Sequence, residues 1–299
     1  VYSAALRGIG DSRAPFLAIL FSSAVNVVLD ILFVACLHWG VKGAAAATVI
    51  SQAAMTAFLI LYAVAKHPLL RFCPGGRLLY GNALEQGFRL GIPPMIQSSV
   101  SAFGSLLLQN FMNGFGTQTV AAITTAYRVD TIILLPIINL GSGISTIVAR
   151  NHGAGEEGRA KRVLAVGTAM MAAVSLFLTI LVIPTGGRVI AMFGVGAGAV
   201  GIGQDFFQRI ACFYVVFGLA TAVRGYLEGI GDVLYSSIAG IVSLISRILA
   251  SYGMAAVFGN MVIAYAEAFS WGVLLALYLA RMGWRRYRMG GPIDSPATP

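Results

Sequence analysis

Apolar residues run in long unbroken stretches along this chain, separated by short gaps rich in glycine and polar residues. They do not alternate at every second position. Eight stretches, approximately 15–37, 43–65, 87–110, 119–148, 163–184, 204–227, 233–257 and 263–281, are long enough to cross a bilayer, which takes about 20 residues of α-helix. Continuous runs argue against a transmembrane barrel, whose strands alternate apolar and polar positions. Glycine, present 36 times, and interior proline such as Pro136 are tolerated in membrane helices, where neighbouring groups re-satisfy the freed backbone. The pattern predicts an all-α polytopic membrane protein with eight transmembrane helices.

Two polar gaps are near copies. Leu6-Arg7-Gly8-Ile9-Gly10-Asp11 and Leu227-Glu228-Gly229-Ile230-Gly231-Asp232 agree at five of six positions, and each precedes a long apolar run. Six expected spans lie between them, and an even number puts both copies on one face of the membrane. That predicts two parallel repeats related by an axis along the membrane normal, as in some secondary transporters. Four spans precede the second copy within its repeat and two follow it; the first copy has only the two that follow. The expected organisation is therefore the last two helices of an N-terminal lobe (1–65) and a linker containing Pro68 and Pro74 (66–85). A six-helix C-terminal lobe (86–283) and a basic, proline-containing tail (284–299) complete it, and four earlier helices of a twelve-helix protein are lacking. The motif itself suits a turn. Gly8, Gly10, Gly229 and Gly231 can supply left-handed backbone, and Asp11 and Asp232 can N-cap the following helix.

The net charge of +9 changes the picture only through its distribution. Numbering the gaps alternately puts fourteen Lys and Arg residues, among them Arg7, Arg13, Arg150, Arg159, Arg162 and Arg281, on one side. Lys42 and Arg188 are on the other. The positive-inside rule places the first side, and the C-terminus, in the cytoplasm. The basic charge is thus topological, and it leaves no stripe for nucleic acid. Cys36, Cys73 and Cys212 lack the spacing of a disulfide framework or zinc site. His38, His67 and His152 fall in loops or helix ends, where solvated side chains are expected. The formal GxGxxG at Gly196–Gly201 lies between two spans without the strand a dinucleotide site needs. No P-loop, His-Glu-x-x-His or Gly-x-Ser-x-Gly occurs, so enzyme chemistry has no handle here.

Ionisable residues within the spans are the candidates for function. Asp30 would lie roughly 22 Å from the start of its helix, at about 1.5 Å per residue, with Asn26 one turn back on the same face. Thr48 on the next helix can reach a similar depth. A carboxylate, an amide and a hydroxyl at one depth suit an exchangeable proton or a hard monovalent cation such as Na⁺; an Asp snorkelling to the outer interface is the alternative. In the second repeat Arg128 and Asp130, two residues apart, cannot face each other and need partners elsewhere. Arg247 and Glu267 are the obvious ones, with Gln97 adding a polar face. A salt-bridge network closing the bundle and a substrate or relay site are both open for this group.

Three segments together, Ala5-Leu6-Arg7-Gly8-Ile9-Gly10-Asp11 with Pro15, Asn26-Val27-Val28-Leu29-Asp30 and Gly43–Gln52, resemble the multidrug and toxic compound extrusion (MATE) family. Ala126-Tyr127-Arg128, Pro136, Arg150–Gly155 and Gly225–Asp232 add to the likeness. The resemblance implies a twelve-helix antiporter of two six-helix lobes in the cytoplasmic membrane, monomeric and without a cofactor. It would export amphipathic, often cationic compounds in exchange for H⁺ or Na⁺. In the DinF-like branch, Asn26, Asp30 and Thr48 match the N-lobe cation site. The acids that the NorM-like branch carries in its C-lobe are replaced here by residues such as Phe217, unless Asp130 or Glu267 substitutes. A lipid-linked saccharide flippase of the same superfamily and a non-transporting membrane scaffold are the alternatives.

Overall fold

The computed structural model describes residues 2–70 and 81–289. Of the expected linker, residues 71–80 with Cys73 and Pro74, and of the expected tail, residues 290–299, lie outside this range. Among the described residues the chain is helical: α1 (Tyr2–Ile9), α2 (Arg13–Asp30), α3 (Gly40–Lys66), α4 (Gly81–Asn113), α5 (Thr117–Gly153), α6 (Glu157–Ala191), α7 (Ala197–Ile210), α8 (Tyr214–Gly229), α9 (Val233–Phe258) and α10 (Val262–Met289). Among the described residues six segments, Arg13–Cys36, Gly40–Lys66, Thr117–Gly153, Glu157–Ala191, Ala197–Gly229 and Val233–Arg285, are long and apolar enough to cross a membrane. The last of these is interrupted by a 3₁₀ turn at Gly259–Met261 that divides α9 from α10. Helix α4 is not among the six; it begins with polar Asn82, Glu85 and Arg89. Packing divides the chain after Tyr80 into two units, one holding α1–α3 and the other α4–α10.

In the first unit α2 and α3 meet through small residues. Ala14, Ala18 and Ser22 of α2 and Gly43, Ala47 and Ser51 of α3 are buried, and the Ser22 hydroxyl donates to the Ser51 carbonyl at 2.9 Å. Small residues let membrane helices approach closely where no hydrophobic force drives them together. The large side chains Phe16, Leu17, Leu20 and Phe21 are exposed, as lipid-facing positions are.

The second unit is built around α5 and α8 by the same device. Gly225 and Gly229, one turn apart on α8, lie where a Cβ would meet the Gly141 carbonyl oxygen, and Val148 together with the Ser145 carbonyl oxygen, of α5. Pro184 interrupts α6, and the Gln204 side chain of α7 is wedged there. It donates to the Ile183 carbonyl at 3.0 Å and accepts from the Gly187 amide. A side chain inserted into the backbone ladder is a standard cause of a helix bend.

Candidate functional site

Among the described residues, two groups of polar side chains within the helices contain the candidates picked out in the sequence. In the first unit, Asn26 and Asp30 occupy successive turns at the end of α2, and the helix continues beyond Asp30 as a π-helical turn over Ile31–Cys36. Such turns free carbonyls from regular pairing and are common at functional sites. Asp30 Oδ1 and Asn26 Nδ2 are both buried, and neither has a hydrogen-bond partner among the described residues. Buried polar atoms almost always find a partner, so two orphans one turn apart mark an unfinished site. Thr48 does not complete it: its side chain is exposed and its hydroxyl donates back to the Ala44 carbonyl at 2.9 Å. The structure therefore unites Asn26 and Asp30 on one face and leaves the Thr48 hydroxyl bonded within its own helix. Among the described residues no three His, Cys, Asp or Glu side chains gather in a metal-binding group.

The second group joins four helices. Asp130 of α5 is buried and accepts a hydrogen bond from the Tyr214 hydroxyl of α8 at 2.5 Å. Arg247 of α9 donates to Glu267 of α10 at 3.1 Å and to the Tyr127 hydroxyl of α5 at 2.7 Å, with its guanidinium 5.6 Å from the Tyr127 ring centre. Arg247 and Glu267 thus pair with each other rather than with Arg128 and Asp130. Both tyrosines are absent from the polar positions picked out in the sequence; an aromatic inside an apolar run carries no sign that its hydroxyl holds a charge. Arg128 points elsewhere. It is exposed and lines a cleft of about 570 Å³ with Asn113, Thr117, Thr124 and Thr125. Gln97 packs against Gly240 of α9, filling the space where a Cβ would stand, and so serves the α4–α9 contact.

The repeated turn is placed as expected, but its residues divide the work differently. Gly10 (φ 98°) and Gly231 (φ 84°) adopt left-handed backbone, whereas Gly8 and Gly229 are helical. Asp11 Oδ1 accepts from the Ala14 amide at 3.2 Å, a helix-start bond. Its other oxygen accepts from the Tyr62 hydroxyl at 2.8 Å and faces His67 Nε2 at 3.3 Å. The Tyr62 bond, first, and the Ala14 amide hold the Asp11 carboxyl down at about 2. Asp232 makes no cap bond to the start of α9; its carboxylate grips Arg281 of α10 at 2.7 and 3.2 Å. Two of the three histidines, His38 and His152, are exposed as expected, and His67 is half-buried. His67 meets Asp11, His152 lies 2.5 Å from Glu157, and His38 Nδ1 is 3.1 Å from the Cys36 carbonyl.

Residues 93–253 match the MatE family model, which decides the lineage. The chain belongs to the MatE family. It is 30% identical over 243 residues to the probable multidrug resistance protein YpnP of Bacillus subtilis, covering 81% of this chain and 54% of that protein. It is 26% identical over 298 residues to the probable multidrug resistance protein YoeA of the same organism, covering 95% and 64%. The multidrug export protein MepA of Staphylococcus aureus (strain N315) is 23% identical over 281 residues, covering 92% and 62%. This MatE chain thus spans between about half and two thirds of the relatives it matches. Its fold is that of solved MATE structures. The crystal structure of MATE in the bent conformation superposes with a TM-score of 0.85 at 19% identity, over 97% of this chain and 64% of that one. The Pyrococcus furiosus transporter described as having a binding pocket of reversed polarity superposes at 0.86, also at 19% identity, over 97% and 65%.

Proposed function

We propose that this MatE chain works within a cation-coupled antiporter of the DinF-like branch, exporting amphipathic compounds by alternating access. Asp30 is its coupling carboxylate. The observation that carries this is the pair of buried, unpartnered atoms, Asp30 Oδ1 and Asn26 Nδ2, beside a π-helical turn. The Asn26 amide can present its oxygen instead by rotating about its last bond. A proton on Asp30, or a sodium ion held by the Asp30 carboxylate and that amide oxygen, would satisfy both groups. A conformational change that brings Thr48 in would add a third oxygen. Coupling follows if the ion binds one conformation better than the other, because only differential affinity shifts the balance between states.

Arg128 and the threonine-lined cleft supply a surface for the exported compound, with the charge and hydroxyls fixing the polar end of an apolar body. In this reading the protein is a monomer in the inner membrane, with a cytoplasmic C-terminus. The relatives' names, multidrug resistance and multidrug export, support efflux over lipid-linked saccharide flipping. The test uses the full-length protein in proteoliposomes, with H⁺ and Na⁺ gradients imposed separately. Asp30→Asn should abolish gradient-driven efflux under both while substrate binding persists. Intact efflux in that variant would remove Asp30 from the mechanism.

A further inference from the structure

A groove between α5 and α6 has the dimensions and chemistry of a lipid site. It is lined on α5 by one face, from Leu140 through Ile144 and Ile147 to Asn151, and on α6 from Arg159 through Val166 to Met170, and it encloses about 460 Å³. The two helices are joined by the short turn Ala154–Glu156. They therefore run antiparallel, and Asn151, Arg159 and Arg162 gather at one end. Each wall runs twelve residues from first to last, eleven rises of about 1.5 Å or roughly 16 Å. That is the depth of one leaflet, about half of a 30 Å hydrocarbon core. The groove itself is lined almost wholly by apolar atoms, and the two exposed arginines, Arg159 and Arg162, stand at the end where the membrane surface would lie.

Glycine makes the space. A Cβ on Gly143 would meet nothing within 4 Å, whereas Gly167 lets Ile144 sit against α6 as the groove's floor. The charges at the mouth are available. Arg162 forms no ion pair among the described residues, and Arg159 reaches Glu156 only at 3.8 Å with both side chains exposed. The neighbouring Glu157 is taken by His152.

We infer that this groove binds one anionic phospholipid, its phosphate between Arg159 and Arg162 and an acyl chain lying along Gly143 and Val166. Basic pockets between membrane helices at the surface take such headgroups. The site is independent of any coupling role of Asp30, since lipid retention is read without transport.

Native mass spectrometry of the full-length protein tests it, with phosphatidylglycerol and phosphatidylcholine of matched chains offered together. The wild type should keep one phosphatidylglycerol in preference to phosphatidylcholine. The exposed double change Arg159→Gln/Arg162→Gln should cut that preference about tenfold. Gly143→Leu, which fills the groove in a helix-favouring way, should remove the retained lipid while the melting temperature holds. Undiminished preference in the double variant overturns the proposal, as does undiminished occupancy in Gly143→Leu. So does equal displacement of the lipid by inorganic phosphate, or a wild type that retains neither lipid because other helices cover the groove.

Discussion

Asp232, at the start of α9, accepts two hydrogen bonds from Arg281, near the end of α10, at 2.7 and 3.2 Å, and Arg285 approaches the same carboxylate at 3.5 Å. The matching aspartate of the first repeat, Asp11, holds the end of α3 through Tyr62 at 2.8 Å. In both repeats the turn residue staples the helix it begins to the far end of the next one. The partners differ, a guanidinium in one repeat and a phenol in the other, but the position is the same.

Asp232→Asn should therefore destabilise the second unit by about 2 kcal/mol, the scale of hydrogen bonds to a charged group that is mostly buried. Arg281→Lys keeps the charge and loses the two-pronged geometry, so its effect should be smaller. Thermal unfolding of both variants in one detergent gives the order; equal stability of Asp232→Asn and wild type would show that the staple is ornamental.

Acid should act on the other staple. The Asp11 carboxyl is lowered from 3.8 to about 2, first by the Tyr62 hydrogen bond and then by the Ala14 amide. A group whose folded value is depressed contributes stability above its unfolded value, and that contribution fades as pH falls through the folded one. The wild type should lose this share of its stability between pH 4 and 2. Asp11→Asn should lack that component, and Tyr62→Phe, which lets the folded value rise toward the unfolded one, should shrink it and raise the pH at which its loss is complete. Melting temperatures across the window, read for all three proteins, check the sign.

Much of this was legible from residue pattern, and the misses have physical causes. Long apolar runs placed α2, α3, α5 and α6 because lipid imposes one solution on the backbone, helices with every amide paired. The duplicated hexapeptide located both turns, since left-handed backbone at Gly10 and Gly231 leaves a residue signature. Pairing across helices left none. Nothing in the sequence says that Arg247 meets Glu267 and Tyr127, or that Asp130 meets Tyr214, because residues distant in the chain acquire partners only through packing. The π-helical turn after Asp30 was equally silent: Ile-Leu-Phe-Val-Ala-Cys is an unremarkable apolar run.

The four-helix network makes a sharp prediction. Arg247→Met leaves Glu267 in the bundle without its guanidinium, and stripping one partner from a buried pair costs about 3–5 kcal/mol. Replacing both, Arg247→Met with Glu267→Met, should recover most of that loss, since a matched apolar pair removes both desolvation penalties. Tyr214→Phe should cost about 1–3 kcal/mol by withdrawing the donor given to Asp130. Unfolding midpoints of the three variants, with the double variant as the deciding case, separate a bundle-closing network from residues held for transport alone. If the double variant is stable yet fails to export, the network also serves the cycle.

Arg128 should behave in the opposite way. Exposed in its cleft and without an ion pair among the described residues, it can be changed to Gln within about 0.5 kcal/mol of wild-type stability, as surface substitutions usually are. Its effect should fall on the compounds carried. Export of compounds bearing a carboxylate should weaken more than export of purely cationic ones, because only the former gain from a guanidinium. Efflux assays with matched dyes of opposite charge measure this, and a uniform loss across both would assign Arg128 to the conformational cycle instead.

The two copies of the turn finally predict unlike responses at positions that look equivalent. Gly229 sits where a Cβ would come within 2.7 Å of the Val148 Cβ and 2.8 Å of the Ser145 carbonyl oxygen; at Gly8 a Cβ would meet nothing within 4 Å. Backbone cannot step aside as a flexible side chain can, so Gly229→Ala should push α8 off α5 at a cost of about 1–3 kcal/mol. Gly8→Ala, in helical backbone, should be neutral or stabilising by up to about 1 kcal/mol. Gly231→Ala should cost about 1–3 kcal/mol for a different reason, its left-handed φ of 84°, which an L side chain adopts only under strain. A scan of all three by thermal unfolding distinguishes close approach from backbone conformation as the reason for each glycine. Equal losses at Gly8 and Gly229 would rule out close approach to α5 as the reason for the loss at Gly229.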